Sequence, residues 1–122
     1  MTLVPQFILK RMYVNGSLRA TADGVSFDLK NALGPGHMTR FSQIRLNDVV
    51  FEPSQFQIRL GDRVIAAVDI TEETPLAVGM GAVARCEIPG ATLTPGRHEI
   101  QVSVVVREAG AVSLKVEDDL IV

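Results

Sequence analysis

The stretch Leu93-Thr94-Pro95-Gly96-Arg97-His98-Glu99-Ile100-Gln101-Val102-Ser103-Val104-Val105-Val106 decides the fold. A Pro95-Gly96 turn opens directly onto a long alternating run. His98, Ile100, Val102, Val104 and Val106 share one face, while Glu99, Gln101, Ser103 and Arg107 fall on the other. A period of two with one apolar face is the signature of a half-buried strand. A leucine, a Pro-Gly corner and a valine ladder commonly lead into a central strand of an immunoglobulin-like sandwich. This strand declares an architecture and carries no chemistry.

Short alternating runs separated by Gly, Pro, Asn and Asp continue on either side. Phe7 to Val14 reads as a strand ending at Asn15-Gly16, a type I′ hairpin signal, with Ser17 to Thr21 returning as its partner. Val25, Phe27 and Leu29 share a face after the Ala22-Asp23-Gly24 turn. Ala32-Leu33-Gly34-Pro35-Gly36 is a loop, and His37 to Leu46 a strand, followed by an Asn47-Asp48 turn and Val49-Val50-Phe51. Gln55 to Leu60 alternates through Phe56, Ile58 and Leu60. Gly61-Asp62 turns the chain into Arg63 to Ile70, with Val64, Ala66, Val68 and Ile70 expected inward. Ala82 to Ile88 forms a further strand with small inward residues Ala82, Ala84 and Cys86. Val112 to Val116 follows the Glu108-Ala109-Gly110 turn, and Asp118-Asp119 precedes a short apolar end, Leu120-Ile121-Val122.

This predicts roughly eight to ten antiparallel strands in an all-β sandwich, immunoglobulin-like or jelly-roll-like, with a closed barrel as a further all-β possibility. The 122 residues fit one domain spanning 1–122, large enough for a real core. With 47% apolar residues and no tryptophan, aliphatic side chains must fill that core. Twelve basic and fourteen acidic residues are scattered along the chain, which argues against nucleic acid or an anionic membrane as partner. Cys86 is the single cysteine, and the N-terminus lacks a basic segment and long apolar run; both favour a soluble, cytoplasmic setting.

Candidate chemistry is sparse. His37 and His98 are far apart and offer no zinc pattern. His98, at the base of the valine ladder, is suited to pinning the preceding loop as a corner tyrosine would. Cys86 reads as a small buried hydrophobe. Glu72-Glu73 and Asp118-Asp119 read as solvated loop charge, because neighbours on an extended chain point to opposite sides. Two loops stand out. Gly34-Pro35-Gly36-His37 sets a titratable imidazole beside bare backbone, making His37 the candidate catalytic residue, or else a bulky strand start. Pro75 to Val83 is apolar and glycine-broken, either a partner surface built on Leu76, Val78, Met80 and Val83 or a loop folded over the sandwich end. Residue chemistry alone assigns no activity.

Taken whole, the chain resembles the small β subunit of bacterial C-glycoside deglycosidases. The residues carrying the likeness are Phe7-Ile8-Leu9-Lys10-Arg11-Met12-Tyr13-Val14-Asn15-Gly16-Ser17-Leu18-Arg19 and Gly24-Val25-Ser26-Phe27-Asp28-Leu29-Lys30-Asn31. Pro95-Gly96-Arg97-His98-Glu99-Ile100, Arg107-Glu108 and Val116-Glu117-Asp118 join them. The resemblance implies a β-sandwich bound to a TIM-barrel α subunit that holds a divalent metal, typically manganese, with no cofactor in this chain. The complex would act as a lyase of carbohydrate metabolism, cleaving the carbon–carbon bond of 3-oxo-C-glycosides, flavonoid glycosides among them, by elimination. Metal ligands and principal bases belong to the α subunit, so no family catalytic residue is carried onto this chain. The expected role is to dock over the barrel mouth, with Gly34, Pro35, Gly36, His37, Leu76, Val78, Met80 and Val83 facing the partner. The alternative is a stand-alone immunoglobulin-like interaction or carbohydrate-binding module, poorly equipped for sugar stacking with Tyr13 as its one tyrosine. A self-sufficient enzyme is a third, lacking a nucleophile–base–orienter set.

Overall fold

The computed structural model describes residues 6–32 and 34–120. The expected Leu33 loop position, the N-terminal residues 1–5 and the apolar end at Ile121-Val122 lie outside the described residues. A single helical turn, α1 (Gln6–Leu9), runs into a 3-10 turn at Lys10–Met12. Ten strands follow: β1 (Arg19–Ala20), β2 (Gly24–Lys30), β3 (Gly36–Leu46), β4 (Val49–Phe51), β5 (Gln57–Leu60), β6 (Arg63–Ala66), β7 (Leu76–Val78), β8 (Val83–Pro89), β9 (Gly96–Val106) and β10 (Gly110–Leu120). All pairings are antiparallel, in two sheets ordered β1-β2-β8-β5-β6 and β10-β9-β3-β4, with β7 on the early part of β3. The sandwich expectation is correct. Free edges on both sheets set aside a closed barrel.

The core forms where the inward faces meet. Phe27, Ile58, Cys86 and Ile88 from one sheet pack toward Phe41, Ile44, Ile100 and Val102 from the other. Phe41 and Phe56 meet edge to face at 4.8 Å. Each such fully buried side chain contributes about 1.5–3 kcal/mol. The valine ladder lies where its period places it, with Ile100, Val102 and Val104 buried. In β3 two register shifts, between Met38 and Arg40 and between Phe41 and Gln43, change which residues face inward. Thr39 and Phe41 are buried before the second shift, Ile44 and Leu46 after it, a phase change that only a bulge permits. On the outer face of the β2–β8–β5 sheet, Asp28 pairs with Arg85 at 3.0 Å and Arg19 at 3.7 Å, and Glu87 with Arg59 at 3.3 Å.

Three local expectations are corrected. Of Phe7 to Val14, residues 7–12 are α1 and a 3-10 turn rather than a strand, and Tyr13 alone makes a β-bridge, to Leu29. Leu9, Met12 and Tyr13 stand at i, i+3 and i+4, and that spacing buries Leu9 and Tyr13 against the sandwich. The Asn15-Gly16 turn is not type I′. Asn15 keeps a negative φ, Gly16 has φ 81°, and Ser17 N–H donates to the Val14 carbonyl at 3.1 Å, the type II pattern. Arg63 to Ile70 splits into β6 and a 3-10 turn at Ala67–Asp69, with its face reversed. Val64, Ala66 and Val68 point to solvent, Ile65 packs on the core and Ala67 is buried; of the four residues expected inward only Ile70 is so. An edge strand can turn valines outward at small cost, so alternation alone did not fix its phase.

Candidate functional site

The two loops singled out above meet at one end of the sandwich. Gly36, His37 and Met38 pair with Val78, Ala77 and Leu76, so β3 and β7 hold them side by side. Asn31, just past the end of β2, stitches them further. Its Nδ2 donates to the carbonyls of Gly34 at 2.8 Å, Val78 at 3.1 Å and Gly79 at 3.2 Å. Its backbone accepts from Gly81 N–H at 2.8 Å and donates to the Ala82 carbonyl at 2.9 Å. Between β7 and β8, Ala82 N–H donates to the Gly79 carbonyl at 3.1 Å, and Gly81 at φ 81° meets the glycine demand of a type II turn. Met80 sits at the tip of that turn, 64% exposed.

Behind these loops an apolar cleft of about 340 Å³ runs between the sheets. Leu29, Met38, Leu76, Val106 and Leu114 form much of its wall, and Met12 of the N-terminal segment closes one side. Small residues, Ala82, Ala84 and Ala109, leave the space open. The mouth carries Lys30, Asn31, the Gly34-Pro35-Gly36 segment and Glu108. Gly36 approaches the β9–β10 turn so closely that an added Cβ would lie 3.3 Å from Glu108 Oε1 and 3.4 Å from a Val106 methyl.

His37 does not line the cleft. Its strand neighbours Gly36 and Met38 do, and its own side chain lies against Glu108 on the rim. The Glu108 carboxylate bonds both to His37 Nδ1 at 2.8 Å and to His37 N–H at 2.9 Å, while Arg107 N–H donates to the His37 carbonyl at 2.9 Å. The imidazole first, then the His37 amide, hold the Glu108 carboxyl at about 2, well below its usual range. An imidazole oriented by a carboxylate is a base-and-orienter pair. Among the described residues no Ser, Thr or Cys side chain is hydrogen-bonded to it, so the pair stands as a latch across the rim. Of the other loop residues, Leu76 is buried in the core, Val78 is half-buried against it, and Val83, like Met80, is exposed.

The remaining candidates fall elsewhere. His98 Nε2–H donates to the Thr94 carbonyl at 2.6 Å and Nδ1 accepts from Asn47 Nδ2 at 2.9 Å, a tautomer assigned from its partners. It therefore pins the loop before β9 as a corner residue. Cys86 is fully buried; desolvation, then the charges of Asp28 and Glu87, push its thiol far up, the opposite of an activated nucleophile. Glu72 and Glu73 are solvated. Asp118 is not loop charge: it lies within β10 and points inward, where Oδ2 accepts from Tyr13 Oη at 2.6 Å, Gly16 N–H at 3.0 Å and Leu18 N–H at 3.3 Å. Asp119, outward, pairs with Arg97 at 3.4 Å. Among the described residues no three of His, Cys, Asp and Glu converge as metal ligands. Nor is any helix among the described residues long and apolar enough to cross a membrane.

Sequence reasoning passed over Asn31 and Glu108. An Asn between a strand end and a Gly-Pro loop is a signal for the first, because its amide readily bonds loop carbonyls. Nothing local signals the second, whose partner is brought near by the β3–β9 pairing.

A family model described as hydroxymethylglutaryl-CoA reductase, N-terminal domain, matches residues 8–121. The match covers nearly the whole chain, which belongs to that family. No curated protein matches the chain. The assignment to the C-glycoside deglycosidase β subunits is thereby corrected. With it go the TIM-barrel α subunit as partner, the C-glycoside substrate, the lyase activity and the stand-alone interaction or carbohydrate-binding alternative. The segments that carried the likeness are now seen as the N-terminal turn, β2, the Pro95-Gly96 corner and β10. Such segments build a sandwich and say nothing of what it binds.

Proposed function

We propose that this member of the hydroxymethylglutaryl-CoA reductase N-terminal-domain family is a ligand-binding module, whose open sandwich end receives the apolar part of a small molecule. The observation that carries this reading is the cleft of about 340 Å³ with its apolar wall and polar mouth. Close-packed interiors hold few voids larger than a water molecule, whereas small-molecule sites start at about 300 Å³. The mouth is preformed, because Asn31 and Glu108 fix the loops around it. The family description names hydroxymethylglutaryl-CoA, and we take the ligand from the same acyl-bearing class. A cytoplasmic setting is part of this reading, supported by the free, buried thiol of Cys86.

Titration of the chain with n-alkanols of increasing length, followed by a neutral environment-sensitive fluorophore, tests it. Affinity should rise about fourfold per methylene, the equivalent of about 0.8 kcal/mol, until the cleft is filled. Ala84→Phe and Ala109→Leu, which fill the space, should abolish binding while the chain keeps its cooperative thermal transition. Absence of binding at every length, or binding indifferent to both variants, would overturn the proposal.

A further inference from the structure

The charges at the mouth narrow the ligand class. Two residues carry full charge there, Lys30 and Glu108. Both oxygens of Glu108 are engaged, Oε1 by His37 N–H and Oε2 by His37 Nδ1. The Asn31 amide is turned to the carbonyls of Gly34, Val78 and Gly79. Asp28, two residues before Lys30, is held by Arg85 and Arg19. No described carboxylate pairs with Lys30, whose side chain is exposed at the end of β2 beside the cleft. The charge still open to a guest is therefore a cation, set at the edge of an apolar hole.

We infer that the ligand is a linear amphiphile with an anionic head, its tail between the sheets and its head at Lys30. The inference rests on the cleft being the ligand site. Lys30 is suited to such a head because its ammonium rides on a flexible four-carbon stem. That stem can lie along the apolar wall while the charge stays in water. Glu108 remains an anion, but both its oxygens are already taken up by His37, whereas the Lys30 ammonium has no partner among the described carboxylates.

Three ligands with one tail separate the possibilities: decanoate, decanol and decyltrimethylammonium, each below its aggregation threshold, displacing the neutral fluorophore. Decanoate should bind about three- to fivefold more tightly than decanol, the scale of an exposed ion pair, and decyltrimethylammonium most weakly. Lys30→Gln should remove the advantage of decanoate and leave decanol unchanged, and raised salt should act in the same direction. Binding of the cation equal to or above that of the anion, or a full decanoate preference in Lys30→Gln, would overturn the inference while leaving the cleft reading intact. If none of the three displaces the fluorophore, the cleft reading itself falls.

Discussion

Tyr13 and Asp118, 105 positions apart, are joined by a hydrogen bond of 2.6 Å that closes the side of the sandwich. The inward carboxylate of β10 thereby captures the turn that carries the chain from the N-terminal helix to β1. Desolvation works upward on Asp118, but the bonds from Tyr13 and the amides of Asp119, Leu18 and Gly16 outweigh it and hold its carboxyl low. Burial, then the bond to Asp118, push the Tyr13 phenol far up.

Tyr13→Phe should therefore cost about 1–3 kcal/mol in urea unfolding, and Asp118→Ala more, because it strands every donor at once. The pH dependence runs both ways. The Asp118 contribution is complete above its unfolded value of about 3.9 and fades as pH falls through the lower folded one. That of Tyr13 is complete below about 10 and is lost as pH climbs toward its raised folded value. An Asp118→Ala variant as stable as the parent at neutral pH would remove the clamp.

The Glu108 latch is read most directly by carbon-detected NMR of its side-chain carboxyl. Its midpoint should lie at about 2, and His37→Ala should return it toward 4.5. Since the folded value is depressed, the latch is complete above the ordinary carboxylate range and opens as pH falls through about 2. An unshifted midpoint in the parent chain would mean that the latch is open in solution.

Asn31→Ala removes the donor that serves three carbonyls on two loops. We expect a loss of about 1–3 kcal/mol. Amide exchange should quicken at Gly36 and Val78 before it does at Ile100 or Val102. Uniform acceleration across the chain would show that the loops open only with the whole fold.

Gly24 pairs with Pro89, and any Cβ there would run into the Ile88 carbonyl. Gly24→Ala should cost about 1–3 kcal/mol through forced backbone movement. Gly79→Ala, with open space around it, should be close to neutral. Thermal melts of the pair check both, and equal transition temperatures would contradict the packing of β2 on β8.

Much of this architecture is legible in the chain, and the exceptions have physical causes. The valine ladder, the Val25-Phe27-Leu29 face and the Phe56-Ile58 alternation read correctly because two covered layers leave a period of two little freedom. The N-terminal segment was ambiguous: Leu9, Met12 and Tyr13 fit a helical turn, but the run is short enough to pass for a strand. The outward valines of β6 and the bulges of β3 are set by tertiary neighbours rather than local pattern. The sequence picked out both loops at the mouth through their glycines. It could not show that Asn31 ties them together or that His37 turns to Glu108, since both facts depend on strand pairing across long separations.

The sulfur of Cys86, shut in between the sheets beneath Phe27 and Ile58, which flank it in the neighbouring strands, equips the chain with a built-in clock. A thiol so enclosed can meet an alkylating reagent only when the layers part. Its rate of modification therefore times rare excursions to the open chain, and a guest lodged in the cleft would be heard as a slowing of that clock.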